Sequence, residues 1–261
     1  MAHIESLRIP PTQCLIQFGH SIEQGANGKW YLTRLLQTVE ELGESTNGFR
    51  RFIRTARREP VGSDTESAIV GGGMLTTAAT AEVYKQLEAR GETPKVIVHC
   101  GGRAGYLEKA AADPIISEGR VMQQVFNDRL QSQVKSPQVL IEQSRVTEDD
   151  IRNGLETALQ FGCTSATFVG LEIRLPRCRA FYEKIISETD RFAIIQVNFL
   201  AAEDVIGDIA RRKGRTAQWE QVLSRYHGSE GYKRTLENEQ GGIAALKAGS
   251  YGQSLGGTGK T

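Results

Sequence analysis

The side chains best suited to chemistry in this chain stand just past short apolar runs. Glycine turns follow two of them, Gly71, Gly72 and Gly73 after AIV, and Gly101 and Gly102 after VIVHC, with Arg103 next. Ser117 and Glu118 open the stretch SEGR, while Glu142, Ser144 and Thr147 stand in IEQSRVT, and Glu172, Arg174 and Arg177 in GLEIRLPR. These residue types divide the work of holding a small ligand. Glycine lets backbone come close to it, and serine and threonine hydrogen-bond to it. Arginine grips carboxylate or phosphate in a bidentate fork but cannot serve as an acid or base near neutral pH. Glu118 is therefore the candidate catalytic residue, as general base or as a hydroxyl-binding acid. No single residue decides the matter; four successive run ends carrying polar or charged groups do.

Such groups converge only if the runs are neighbouring strands. A continuous apolar run reads as a parallel strand buried on both faces, and Ser67 to Val70, Lys95 to Cys100, Val139 to Glu142, Thr164 to Val169 and Phe192 to Asn198 fit that pattern. Helical spacing fills the intervals: Leu75 to Arg90, Ile116 to Leu130, Glu148 to Phe161, and Pro176 to Thr189, which opens on proline. Ser117 and Thr147 read as helix N-caps. Ser67 to Gly102 forms one βαβ unit, and five alternations predict an α/β fold: a doubly wound, mostly parallel, Rossmann-like sheet in three layers with helical additions at both ends. In an open sheet of that kind the ligand crevice lies at the carboxyl ends of the strands.

Residues 1–62 read as a helical segment packed on the core, with an apolar face over Trp30 to Leu42 and a basic one over Gly48 to Arg58. Residues 63–200 form the ligand-binding core, 201–248 a helical subdomain, and the glycine- and serine-rich residues 249–261 a flexible tail.

Several other chemistries fail on spacing. GGTGKT at Gly256 to Thr261 has Ser254 where a phosphate loop needs glycine, and no G-x-S-x-G elbow is present. Gly71 to Thr76 misses the third glycine of a dinucleotide fingerprint, and the second strand ends in His99 and Cys100 rather than an acid. His99, inside an apolar strand, reads as a hydrogen-bonded core residue. Cys14, Cys100, Cys163 and Cys178 lack C-x-x-C spacing, so neither a metal site nor a disulfide framework is indicated, and reduced buried thiols fit instead. A net charge of +1 makes no global case for nucleic acid, and the arginines of FRRFIRTARR read as a solvated or subunit-pairing face. Hydrophobic content of 39%, no apolar run of membrane length, and an N-terminus without signal-peptide features point to a soluble, cytoplasmic protein.

The order GGG, CGG, SEG, E-x-x-S-x-x-T and LPR before an apolar helix resembles the YdcF/SanA/ElyC-type family, whose pattern runs glycine turn, SGG, SEA, E-x-x-S-x-N-T-x-E-N and a histidine-containing segment ending in arginine. The likeness spans Ser67 to Phe199, and length and helical C-terminal part resemble the soluble, YdcF-like branch. The resemblance implies a Rossmann-like fold and S-adenosylmethionine as a cofactor, and it carries onto Gly101, Gly102, Ser117, Glu118, Glu142, Ser144, Thr147 and Arg177. The chain departs from the pattern at Cys100 for serine, Val146 for asparagine, Asp149 and Asp150 for glutamate and asparagine, and Arg174 for histidine. The arginine shifts the expectation toward an anionic ligand.

The expected function is binding of a small nucleoside-containing or anionic metabolite, S-adenosylmethionine, a nucleotide or a sugar nucleotide, by a transferase. The competing expectation is a non-catalytic ligand sensor or assembly factor acting through a protein partner. The helical ends leave room for a homodimer.

Overall fold

The computed structural model describes residues 7–20, 22–24, 28–33, 35, 72–102, 115–131, 133–144 and 146–251. The chain enters on β1 (Cys14–Phe18), a run buried along its whole length, and then makes a small antiparallel pair, β2 (Ile22–Gln24) with β3 (Trp30–Leu32). From there helix and strand alternate: α1 (Gly73–Ala89), β4 (Val96–Cys100), α2 (Glu118–Arg129), β5 (Gln138–Ile141), α3 (Thr147–Gln160), β6 (Ser165–Gly170), a 3-10 turn over Glu172–Arg174, α4 (Leu175–Glu188) and β7 (Gln196–Ala201). Three helices close the described chain: α5 (Ala202–Arg212), α6 (Thr216–Gly228) and α7 (Glu230–Lys247).

The five long strands form one parallel sheet in the order β5-β4-β1-β6-β7, the doubly wound arrangement expected. Its two faces are covered separately. Cys14, Ile16 and Phe18 alternate onto one face, where they join Ile151 and Leu155 of α3 and Phe181 and Ile185 of α4. Leu15 and Ile97 point to the other, against Val83 and Leu87 of α1, Phe126 of α2 and Val205 of α5. That is the period-2 alternation of a strand buried on both sides. Phe18, Phe168 and Phe199 stack in a row across β1, β6 and β7, with successive ring centroids 5.3 Å apart, each pair contributing about 1 kcal/mol beyond burial.

One polar thread crosses the core. Gln17 Nε2 donates to His99 Nδ1 at 2.7 Å, His99 Nε2 donates to Gln138 Oε1 at 2.8 Å, and Gln138 Nε2 donates to Asn127 Oδ1 at 2.8 Å. Burial lowers the His99 pKa to about 4, against the pull of Gln138, so the ring is neutral and serves as the core residue its setting predicts.

The structure corrects three expectations. The N-terminal segment, expected to be helical and outside the sheet, supplies β1, the central strand, and Trp30–Leu32 is a strand rather than the start of a helix. CLIQF is only five residues long and no helical period directly follows it, so nothing local marks it as a core strand. The last strand begins at Gln196, not Phe192, because Thr189 accepts the Arg191 N–H and turns Asp190–Phe192 into a 3-10 helix. Ser67 to Val70, most of Trp30 to Leu42, the basic stretch Gly48 to Arg58 and residues 252–261 lie outside the described residues.

Candidate functional site

Strand order fixes where a ligand can sit. From β1 the chain goes to α1 on one face of the sheet, and from β6 it goes to α4 on the opposite face, so the connections part between these two strands. A crevice opens at such a switch point. Around it lies a cavity of about 260 Å³ lined by the turn after β1 (Gly19), the turn after β4 (Gly101, Gly102), Glu118, the turn after β5 (Ser144, Val146), Thr147 and Asp150 of α3, Arg174, Arg177, and Tyr251.

The floor requires glycine. A Cβ on Gly102 would collide with the Ser144 carbonyl oxygen, and one on Gly101 would stand 2.7 Å from Cβ of Glu118 and 2.9 Å from the Gly119 nitrogen. These contacts let the turn lie directly on the N-terminus of α2, where Gly119 N–H donates to Gly101 C=O at 2.8 Å.

Ser117 and Glu142 brace that floor from behind and do not line the cavity. Ser117 caps α2, its Oγ accepting from Arg120 N–H at 3.2 Å and donating to Glu142 Oε1 at 2.6 Å. Arg120 forks onto Glu142, with Nε at 2.6 Å from Oε1 and Nη2 at 2.9 Å from Oε2. Burial works against the Glu142 charge, but the bonds from Arg120 and Ser117 outweigh it, and the carboxyl sits below its usual range. The α3 N-cap is Val146, one residue before the expected Thr147, and it offers no side-chain bond. The Asp149 N–H donates to the Val146 carbonyl at 3.0 Å instead of to a side-chain cap, and Thr147 lies on the cavity wall, where a helix N-terminus attracts an anion.

The walls carry charge of both signs. Arg174 ends the 3-10 turn, and Arg177 lies in the first turn of α4. Arg177 Nε stands 2.8 Å from Oε2 of the buried Glu239 on α7, a close ion pair without hydrogen-bond alignment. Arg174 Nε is buried with no acceptor among the described residues. Both charges reach His20, whose pKa falls well below its usual value through burial first and the two guanidinium groups second. His20 is thus neutral, and its Nε2 accepts the Leu171 N–H at 3.4 Å. Opposite stand Glu118 and Asp150. Burial pushes Asp150 up to about 7, with the charges of Glu118 and Asp149 adding to the effect and the Ser144 hydroxyl opposing it; its Oδ1 has no donor among the described residues.

Of the residues singled out from sequence, Gly101, Gly102, Glu118, Ser144, Thr147, Arg174 and Arg177 thus meet around one cavity. Gly72 and Gly73 do not line it. Gly72, at φ 146°, opens α1 with Leu171 packed against it, so glycine is needed there for backbone and packing. Gly71 and Arg103 lie outside the described residues. Sequence reasoning missed Gly19, Asp150 and Tyr251 as site residues. Gly19 had a readable signal, glycine after an apolar run; Tyr251 had none, since it reaches the site by packing edge-on to Phe181 at 4.9 Å.

The chain matches no protein-family model, no curated protein and no solved structure in the comparisons made. Among the described residues, no helix is long and apolar enough to cross a membrane, and no group of three His, Cys, Asp or Glu is placed to hold a metal ion.

Proposed function

We propose that the rim cavity binds a small anionic or nucleoside-containing metabolite and that the protein is a group-transfer enzyme acting on it in the cytoplasm. The observation carrying this reading is Arg174: a guanidinium with a buried Nε that lacks an acceptor, set beside Arg177 and the N-terminus of α3 in one cavity. A carboxylate or phosphate supplies what that group lacks. A volume of about 260 Å³ suits a charged head group, with the remainder of a larger metabolite extending past the rim.

The likeness to the YdcF-type motifs keeps S-adenosylmethionine among the candidates, beside nucleotides and sugar nucleotides. The residues present suit its amino-acid end: Arg174 and Arg177 match the carboxylate, and Glu118 and Asp150 match the ammonium. Bound there, it would supply an activated methyl group. The protein's own part is positioning and charge, which can carry group transfer. With a donor that carries no ammonium, a nucleotide or sugar nucleotide, Asp150, pushed up to about 7 by burial, is placed to take a proton from an acceptor hydroxyl and Glu118 to orient it. Four free, buried cysteines suit a reducing compartment.

A thermal-shift screen against S-adenosylmethionine, S-adenosylhomocysteine, nucleotides and sugar nucleotides tests the reading, since a ligand that binds only the folded chain raises its melting temperature. A rise with one class and turnover lost in Glu118→Gln and Asp150→Asn supports it. Binding without turnover moves the protein to the sensor reading, and no shift with any compound overturns the proposal.

A further inference from the structure

A second cavity, of about 370 Å³, lies beyond the 3-10 turn between α5 and α6. Its lining is acidic: Glu172, Glu203, Asp204 and Glu220 face one arginine, Arg211, which is already 3.4 Å from Asp208. Trp219 completes the wall. It lies close against α5 because position 207 is glycine: a Cβ there would stand 3.0 Å from Trp219 Nε1 and 3.2 Å from Cδ1. Glycine inside a helix is destabilising by about 1 kcal/mol relative to alanine, so the close seat of this indole is bought at some expense of helix stability.

Acidic residues grouped at a surface are usually a solvated face; Glu203 sets this group apart. Its residue is only 2% exposed. Oε2 accepts the Glu172 N–H at 2.9 Å, while Oε1 is buried with no donor among the described residues. A carboxylate held in the cleft wall with one oxygen unsatisfied lacks the cation or donor its charged form needs. The carboxylates come from three elements, Glu172 from the 3-10 turn, Glu203 and Asp204 from α5 and Glu220 from α6, so the negative charge is spread along the cleft. A ligand matching it carries separated positive charges on an apolar stem, the stem lying along Trp219, Leu7 and Leu223.

We infer that the cleft between α5 and α6 is a binding site for a small aliphatic polyamine, with Glu203 receiving one ammonium group and the indole of Trp219 flanking the chain. The site is separate from the rim cavity and does not depend on the function assigned to it.

The chain has two tryptophans, so Trp30→Phe leaves Trp219 as the reporter. That protein is titrated with spermidine, with 1,4-diaminobutane, with magnesium ion and with a short arginine-rich peptide, following fluorescence and calorimetric heat. Saturable binding of spermidine, weakened at least tenfold by the near-isosteric Glu203→Gln and about two- to threefold by Glu220→Gln at the exposed rim, is the expected result. Glu220→Gln and Asp204→Asn alter exposed side chains, so they keep the test valid should Glu203→Gln fail to fold. Absence of saturable binding, an equal response to magnesium, binding of the peptide alone, or indifference to all three substitutions would overturn the inference.

Discussion

The cavities on either side of the Glu172–Arg174 turn differ in the charge they present, although a single turn of chain supplies both. Arg174 faces the rim cavity, where two arginines oppose Glu118 and Asp150; Glu172 faces the cleft, where carboxylates prevail. Each cavity also holds a buried charged group with one unsatisfied atom, Arg174 Nε in the first and Glu203 Oε1 in the second. Charges that only brace the frame are treated differently. Glu142 is forked by Arg120 and bonded by Ser117, and Glu148 is met by Lys184 at 2.9 Å and Arg152 at 3.3 Å. These bracing ions are paired, whereas Arg174 Nε and Glu203 Oε1, each in a cavity wall, have no partner among the described residues, which is where ligands are expected.

The sharpest way to break this distinction is to remove the two arginines one at a time. Arg177 is paired with the buried Glu239, so Arg177→Ala strands that carboxylate and lowers stability by about 3 kcal/mol, read by urea unfolding. The loss shrinks at low pH, because burial already raises the Glu239 pKa and a protonated Glu239 needs no partner. Arg174→Ala breaks no close ion pair among the described residues, although its charge also reaches Glu239; it costs less stability and acts mainly on ligand affinity. Equal losses of stability from the two variants would erase the difference between frame and site.

Next in size is Asp150→Asn. The Asp150 carboxyl keeps its proton in the fold up to about pH 7, whereas in the unfolded chain it ionises near 3.8. Its contribution to stability is therefore greatest at low pH and is lost as pH rises from about 4 to about 7. The variant removes that loss: it unfolds like wild type at pH 4 and is more stable by roughly 2 kcal/mol at pH 8, after allowance for local relaxation. A pH-independent difference between the two curves would contradict the buried, proton-holding setting.

The smallest effect belongs to the bracing. Ser117→Ala removes the α2 cap and one bond to Glu142 and costs about 1 kcal/mol of stability, while affinity at the rim stays within twofold. A large loss of affinity would place Ser117 on the ligand instead.

Much of this architecture was legible because strand and helix alternate from Val96 to Ala201, with glycine or a charged residue at the ends of β4, β5 and β6. β1 was not, because a five-residue apolar run with no helical period directly after it has nothing local to confirm it as a strand, although sheet order makes it central. The arginine wall could be read directly, since LPR follows a strand end and the side chains had nowhere to go but the rim. Asp150 could not: three acids in the first turn of a helix look like dipole stabilisation, and only the packing of Ile151 and Cys100 around α3 shows which of them is turned inward. Ser117 and Glu142 illustrate the converse, residues correctly placed near the site whose hydrogen bonds turn out to be spent on each other.

The central claim, that Arg174 awaits an anion, is tested most directly by calorimetric titration of wild type and Arg174→Ala with S-adenosylmethionine and with a nucleoside diphosphate. Saturable binding of at least one of them to wild type, weakened tenfold or more in a variant that remains folded, is the predicted result, in line with the loss of a charge-assisted bidentate contact worth about 1.5–3 kcal/mol. Binding of neither compound to wild type, or equal binding to both proteins, would contradict the account.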